Sequence, residues 1–118
     1  MNSGDAFVLP DWTGSHLHFV LGVTADETLI LSHFTTRRAH SDTTCVVYAG
    51  EHSFIVRETM VRYDQAYFCS GEGIAALERI IVKRFEPLSD TLLKKVRKGA
   101  LDSPQTPDKI KNALRLIL

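Results

Sequence analysis

The sequence predicts a mainly β domain with an α-helical C-terminus: a small antiparallel barrel over residues 4–70, followed by two or three helices over residues 73–118. Three observations carry this expectation. Short runs of β-branched, aromatic and aliphatic residues recur from Asp5 to about Cys69, and polar or Gly/Pro turns separate them. After Gly73 the apolar spacing lengthens to steps of three and four. At 118 residues, with 44% hydrophobic and 24% charged residues, the chain has the size and composition of one globular domain.

The β elements follow in order. Phe7-Val8-Leu9 is stopped by Pro10-Asp11, and Trp12-Thr13-Gly14-Ser15 reads as a loop. Leu17 to Val23 forms the next run and turns at Ala25-Asp26-Glu27; Thr28 to Thr35 resumes it. The polar stretch Thr36 to Asp42 precedes Cys45-Val46-Val47-Tyr48, which Ala49-Gly50-Glu51 closes. Phe54-Ile55-Val56 and the run from Met60 to Phe68 are two further strand candidates. Five or six short strands this close together suit an antiparallel sheet or small barrel rather than βαβ units.

In the second part, Ile74, Leu77, Ile80, Ile81 and Phe85 form the stripe of an amphipathic helix that Pro87 ends. Ser89 is placed to cap a second helix with Leu92, Leu93 and Val96 on its apolar face and Gly99 as its stop. Thr106-Pro107 reads as an N-cap and first-turn proline for a third helix carrying Ile110, Ala113, Leu114 and Ile117.

Charge is unevenly distributed although the net charge is zero. Residues 1–76 carry four arginines, no lysine and nine acidic residues, a net of −5, while residues 77–118 carry +5. The basic run Lys94-Lys95-Val96-Arg97-Lys98 fits either a phosphate-contacting surface or the solvated face of a helix. No apolar run is long enough to span a membrane, and Met1-Asn2-Ser3-Gly4-Asp5 lacks the features of a signal peptide, so a cytoplasmic protein is expected. Cys45 and Cys69 are too few for a disulfide framework and read as inert thiols. Walker-type loops, dinucleotide fingerprints, paired CxxC motifs and the Gly-x-Ser-x-Gly elbow are all missing.

Chemistry concentrates in one segment. The five histidines, His16, His18, His33, His40 and His52, all fall within residues 16–52. His16 and His18 are two apart and share one face of a strand. His40 and Asp42 lie in a polar stretch with Arg37 and Arg38, between Thr35-Thr36 and Thr43-Thr44. Three readings fit. His16, His18, His40 and Asp42 have the side chains of a zinc site, without a standard zinc spacing. Alternatively, the histidines have no special role and the arginines belong to a solvated turn. The third reading is metal-free RNA cleavage. RNA supplies its own 2′-OH nucleophile, so the protein needs a base, an acid and a cation near the phosphate. Imidazole suits both proton-transfer roles at neutral pH, and arginine holds phosphate oxygens.

Four features resemble the MazF/PemK-type toxins of bacterial toxin–antitoxin systems, over roughly residues 4–85. Gly4-Asp5-Ala6-Phe7-Val8 before Pro10 is similar to that family's opening strand, and Leu17 to Leu21 sits where its second strand begins. Leu29-Ile30-Leu31 running into Phe34-Thr35-Thr36 resembles its third strand, and the helical C-terminus agrees. The resemblance implies an SH3-like barrel, usually a homodimer, that cleaves single-stranded RNA without a metal or other cofactor and is neutralised by an acidic antitoxin protein. It also implies that Thr35 or Thr36 supplies the catalytic hydroxyl. His16 stands where the family has its arginine, so the arginine role passes to Arg37 or Arg38 and His16 becomes base or acid.

The expected catalytic set is therefore His16, Thr35, Thr36, Arg37, Arg38 and His40, with His40 as proton carrier. Trp12, His18 and Asp42 are the expected RNA contacts, Trp12 by stacking and Asp42 by binding RNA or orienting His40. The alternative is a non-catalytic SH3-like module that binds protein or RNA, since one barrel serves many functions.

Overall fold

The computed structural model describes residues 1–10 and 15–118. In chain order its elements are β1 (Ala6–Val8), β2 (Leu17–Val23), β3 (Leu29–Thr36), β4 (Val46–Val47), β5 (Thr59–Val61), a 3₁₀ turn (Tyr63–Gln65), β6 (Tyr67–Cys69), α1 (Glu72–Ile80), β7 (Lys83–Phe85), α2 (Asp90–Asp102) and α3 (Asp108–Ile117). Among the described residues the strands form one antiparallel sheet in the order β4-β5-β3-β2-β1-β7, with β6 also paired to β3. An antiparallel sheet followed by helices is thus what the chain forms. By backbone pairing the sheet is open, with β4 and β7 at its ends.

The long strand β3 organises the sheet. On one edge it pairs with β2; on the other, Leu29–Leu31 pairs with β6 and Phe34–Thr36 pairs with β5. Alternation along β2 and β3 then divides their side chains between two apolar clusters. Leu17, Phe19 and Leu21 join Ile30 and Phe34 in the larger one, against Leu92 and Val96 of α2 and Ile110 and Leu114 of α3. Val20, Leu29 and Leu31 face the other way, meeting Phe7 and Leu77 of α1. A bulge between Val20 and Gly22 shifts the register. Gly22 lies under α3, where a Cβ would run into the Ile117 side chain.

Several elements differ from the sequence expectation. The helical stripe read through Phe85 stops at Ile80; Lys83–Phe85 is instead the strand β7, with Phe7 opposite Arg84. Satisfying the free edge of β1 outweighs local helical periodicity there. Phe54-Ile55-Val56 is not a strand, because its backbone is taken up by local turns: the Ile55 N–H donates to the His52 carbonyl at 3.0 Å and the Phe54 N–H donates to His52 Nδ1 at 3.1 Å. The Met60 to Phe68 run is broken into β5, the 3₁₀ turn and β6.

Ser89 does cap α2, its hydroxyl accepting from the Leu92 N–H at 3.1 Å. Gly99, however, does not end this helix, which continues to Asp102. Its missing side chain serves packing: a Cβ would strike the Tyr63 hydroxyl and lie 2.8 Å from Cys45 Cβ. The same Tyr63 hydroxyl donates to the Val96 carbonyl at 2.7 Å, tying the 3₁₀ turn to α2. Thr106 is buried and does not cap α3, whose N-cap position is Pro107. No helix among the described residues is long and apolar enough to cross a membrane.

Candidate functional site

The β2–β3 face that carries Val20 and Leu31 under α1 continues toward the start of β2 with His18, directly opposite His33. The period of two then adds His16 before β2 and Thr35 in β3 to the same face. The three imidazoles form a contiguous row. Ring centroids are 5.4 Å apart for His16 and His33 and 4.9 Å apart for His18 and His33, and His18 stacks on Phe7 at 6.0 Å.

The row opens into a groove of about 580 Å³ whose wall includes His16, His18, His33, Thr35, Arg38 and Arg62. A second hollow of about 320 Å³ shares Thr35, Arg38 and Arg62 and adds Thr36, His40 and Asp42. Thr35 and the two arginines therefore stand at the centre, with imidazoles on either side. A smaller hollow beside His16, Thr35 and Thr36 is walled by Phe54, Ile55 and Val56.

Local structure fixes several of these groups. His16 Nδ1 lies 3.1 Å from the Phe34 carbonyl oxygen. A carbonyl only accepts, so Nδ1 carries the proton in this contact and the lone pair of the neutral ring is on Nε2. Arg38 is set by a tight turn after β3: its N–H donates to Ser41 Oγ at 2.7 Å and its carbonyl accepts from the Ser41 N–H at 3.1 Å. Arg62 follows β5 and forks onto Asp64 with two hydrogen bonds of 2.9 Å. That fork is the main cause holding the Asp64 carboxyl below its ordinary value, overcoming burial, with the His33 ring adding a smaller pull.

The expected site residues are thus only partly brought together. His16, His18, Thr35 and Arg38 share the first hollow, and Thr36, His40 and Asp42 line the adjoining one. Arg37 departs from the set: its guanidinium donates to Glu58 at 2.9 Å and its N–H to the Glu58 carbonyl. Asp42 departs in role. One carboxylate oxygen accepts from the Thr44 N–H at 3.0 Å and the Thr44 hydroxyl at 2.6 Å, and the other accepts from the Ser103 hydroxyl. Burial works to raise this carboxyl, but the Ser103 and Thr44 hydrogen bonds prevail and hold it below its ordinary value. Asp42 therefore ties the β3–β4 loop to the α2–α3 connection rather than orienting His40. Trp12 lies outside the described residues.

His52 stands apart from the groove. It is buried, and with Nδ1 accepting from Phe54, its Nε2 donates to the Glu86 carbonyl at 2.8 Å. The four-ligand zinc set drawn from sequence is not assembled; no group of three or more His, Cys, Asp or Glu among the described residues is arranged to hold a metal ion. The basic run of α2 is engaged locally as well: Lys95 pairs with Glu51 at 2.9 Å, Lys98 with Asp102 at 2.5 Å, and Arg97 Nε donates to the Leu21 carbonyl at 2.7 Å.

His33 and Arg62 are the titratable or charged residues of the groove that the expected catalytic and binding set omits. His33 carried a usable signal, because it lies two residues before Thr35 and so shares its strand face. Arg62 had none, since only β3–β5 pairing brings it beside Thr35 and Arg38. In comparisons with known proteins, no family model matches this chain, and neither does any curated protein or solved structure.

Proposed function

We propose that this protein is a toxin-like, metal-independent endoribonuclease that cleaves single-stranded RNA through its own 2′-OH. The observation carrying this reading is the pair of adjoining hollows that share Thr35 and Arg38, one lined also by His16 and the other by His40. His16 acts as general base: with Nδ1 committed to the Phe34 carbonyl, Nε2 accepts the 2′-OH proton. The 2′ oxygen bonds to phosphorus, and the bond to the 5′ oxygen breaks. A proton from a second imidazole completes the leaving group, giving a cyclic phosphate and a 5′-hydroxyl. Arg38 stabilises the charge growing on the non-bridging oxygens, and the Thr35 and Thr36 hydroxyls orient the phosphate. In this reading the protein works in the cytoplasm, pairs as a homodimer, and is held in check by an acidic antitoxin protein.

A fluorogenic single-stranded RNA, incubated with the protein in excess chelator, tests the proposal. Cleavage that survives chelator and collapses in Arg38→Ala and His16→Ala supports the enzyme. Loss of activity with chelator refutes the metal-free mechanism. Tight binding without cleavage of any RNA assigns the groove to a non-catalytic binding module instead.

A further inference from the structure

The reaction just described needs an acid as well as a base, and the groove holds more than one imidazole able to serve. We propose that His33 is the general acid, delivering its proton to the departing 5′ oxygen while His16 receives the proton of the 2′-OH. This rests on the endoribonuclease reading above and deepens it by naming a catalytic residue that the family resemblance does not assign.

Position is the first argument. His33 is in ring contact with both other histidines of the row, its centroid 5.4 Å from His16 and 4.9 Å from His18. The His16 and His33 rings are inclined by 56° rather than stacked flat. Both line the hollow that also holds Thr35 and Arg38. A phosphate gripped there by Arg38 has two imidazoles beside it with centroids 5.4 Å apart.

The rival imidazoles are less suited. His18 is the ring stacked on Phe7 and lies directly opposite His33 in the β2–β3 ladder, which makes it a packing support for His33. His40 is exposed and lines the adjoining hollow, past Arg38. Arg38 and Arg62 line the same hollow as His33, and Asp64 is within electrostatic reach of its ring while held by the Arg62 fork. The step balances without a co-reactant. The O2′–P bond forms as P–O5′ breaks, one proton enters His16 and one leaves His33, and exchange with water restores both rings.

The test uses the full chain and two substrates: an ordinary RNA, and the same RNA with sulfur replacing the 5′ bridging oxygen at the scissile bond. A thiolate leaves without needing a proton. His33→Gln, which keeps a polar side chain of similar length, is expected to slow cleavage of ordinary RNA by roughly 10²-fold or more while cleaving the sulfur-bridged RNA at close to the native rate. Its pH–rate profile should also lose the alkaline fall that a required acid produces. His16→Gln should be slow on both substrates. Circular dichroism of His33→Gln, matched to the native spectrum, excludes misfolding as the cause. Equal slowing of His33→Gln on both substrates, or a native-like rate on ordinary RNA, overturns the assignment. The sulfur-rescue pattern appearing in His40→Gln instead moves the acid to His40. If the native chain cleaves neither substrate, the endoribonuclease reading itself fails.

Discussion

One face of the β2–β3 ladder has two ends that share a backbone and a register yet differ in almost everything else. At one end Val20 and Leu31 lie opposite each other beneath Leu77 of α1 and are fully buried. Two residues farther along, His18 lies opposite His33, and both are only half-buried. α1 closes the first end and leaves the second open. The lesson is that strand alternation chooses the face, whereas the reach of a neighbouring helix decides whether that face becomes core or site.

The largest expected effect falls on the closed end. Leu31→Ala should cost about 2–5 kcal/mol, because it removes buried methylene groups and leaves a cavity between the sheet and α1. His33→Gln, one pleat away, should cost less than about 1 kcal/mol, since its side chain is only half-buried. Urea titration of the two variants checks the contrast. A cost at His33 as large as that at Leu31 would make the open end part of the core.

Within the open end, neighbouring arginines should separate by activity. Arg38→Ala is expected to reduce RNA cleavage by about 10²–10³-fold, as loss of one preorganised charge-stabilising donor does. Arg37→Ala should change it by no more than about 3-fold: its guanidinium is held by Glu58 in an exposed pair worth about 0.2–1 kcal/mol of stability. Comparable losses in both variants would show that Arg37 leaves Glu58 when RNA binds.

These contrasts also mark what the amino-acid sequence could reveal. The apolar runs at Leu17 to Val23 and Leu29 to Leu31 are local properties, so both strands and the shared face of His16 and His18 were legible. The strand β7 was not, because Ile80, Ile81 and Phe85 satisfy a helical period and only the distant edge of β1 selects the extended form for Lys83–Phe85. Gly99 was read as a helix stop for a similar reason: nothing nearby in sequence announces that Tyr63 lies against it. In the site, Arg38 was legible as a cation beside hydroxyls. Its equivalence with Arg37 was not resolvable until Glu58 arrived from a separate segment.

The tightly closed side of the sheet offers a sharper form of the comparison at Gly99. A methyl group there would collide with Tyr63 and crowd Cys45, so Gly99→Ala should lower stability by about 1–3 kcal/mol and leave the cleavage rate of the folded fraction unchanged. Adding Tyr63→Phe removes the struck oxygen and should recover part of that loss, less the hydrogen bond to Val96, worth about 0.5–1.5 kcal/mol. Purely additive losses in the double variant would mean that the clash is relieved by a shift of α2 rather than borne by Tyr63.

The smallest expected effect lies where the open groove meets the helices. Asp42 lines the hollow adjoining the groove, yet its oxygens are occupied by Thr44 and Ser103, and its carboxyl is held below the ordinary value of 3.8. A carboxyl with a lowered folded value contributes stability that is present above its unfolded value and is lost as the pH falls through the folded one. Asp42→Asn should therefore be less stable than the native chain by under about 1 kcal/mol at neutral pH, with the gap closing below pH 3.8 as the native Asp42 protonates. Denaturant midpoints measured across the acid range follow this gap, and RNA cleavage at neutral pH should stay within about 2-fold of native, as for other changes away from the reacting groups. A variant whose midpoint tracks the native one at every pH but whose cleavage collapses would return Asp42 to the chemistry of the groove, because a carboxylate that only ties a loop to a helix connection cannot change rate without changing stability.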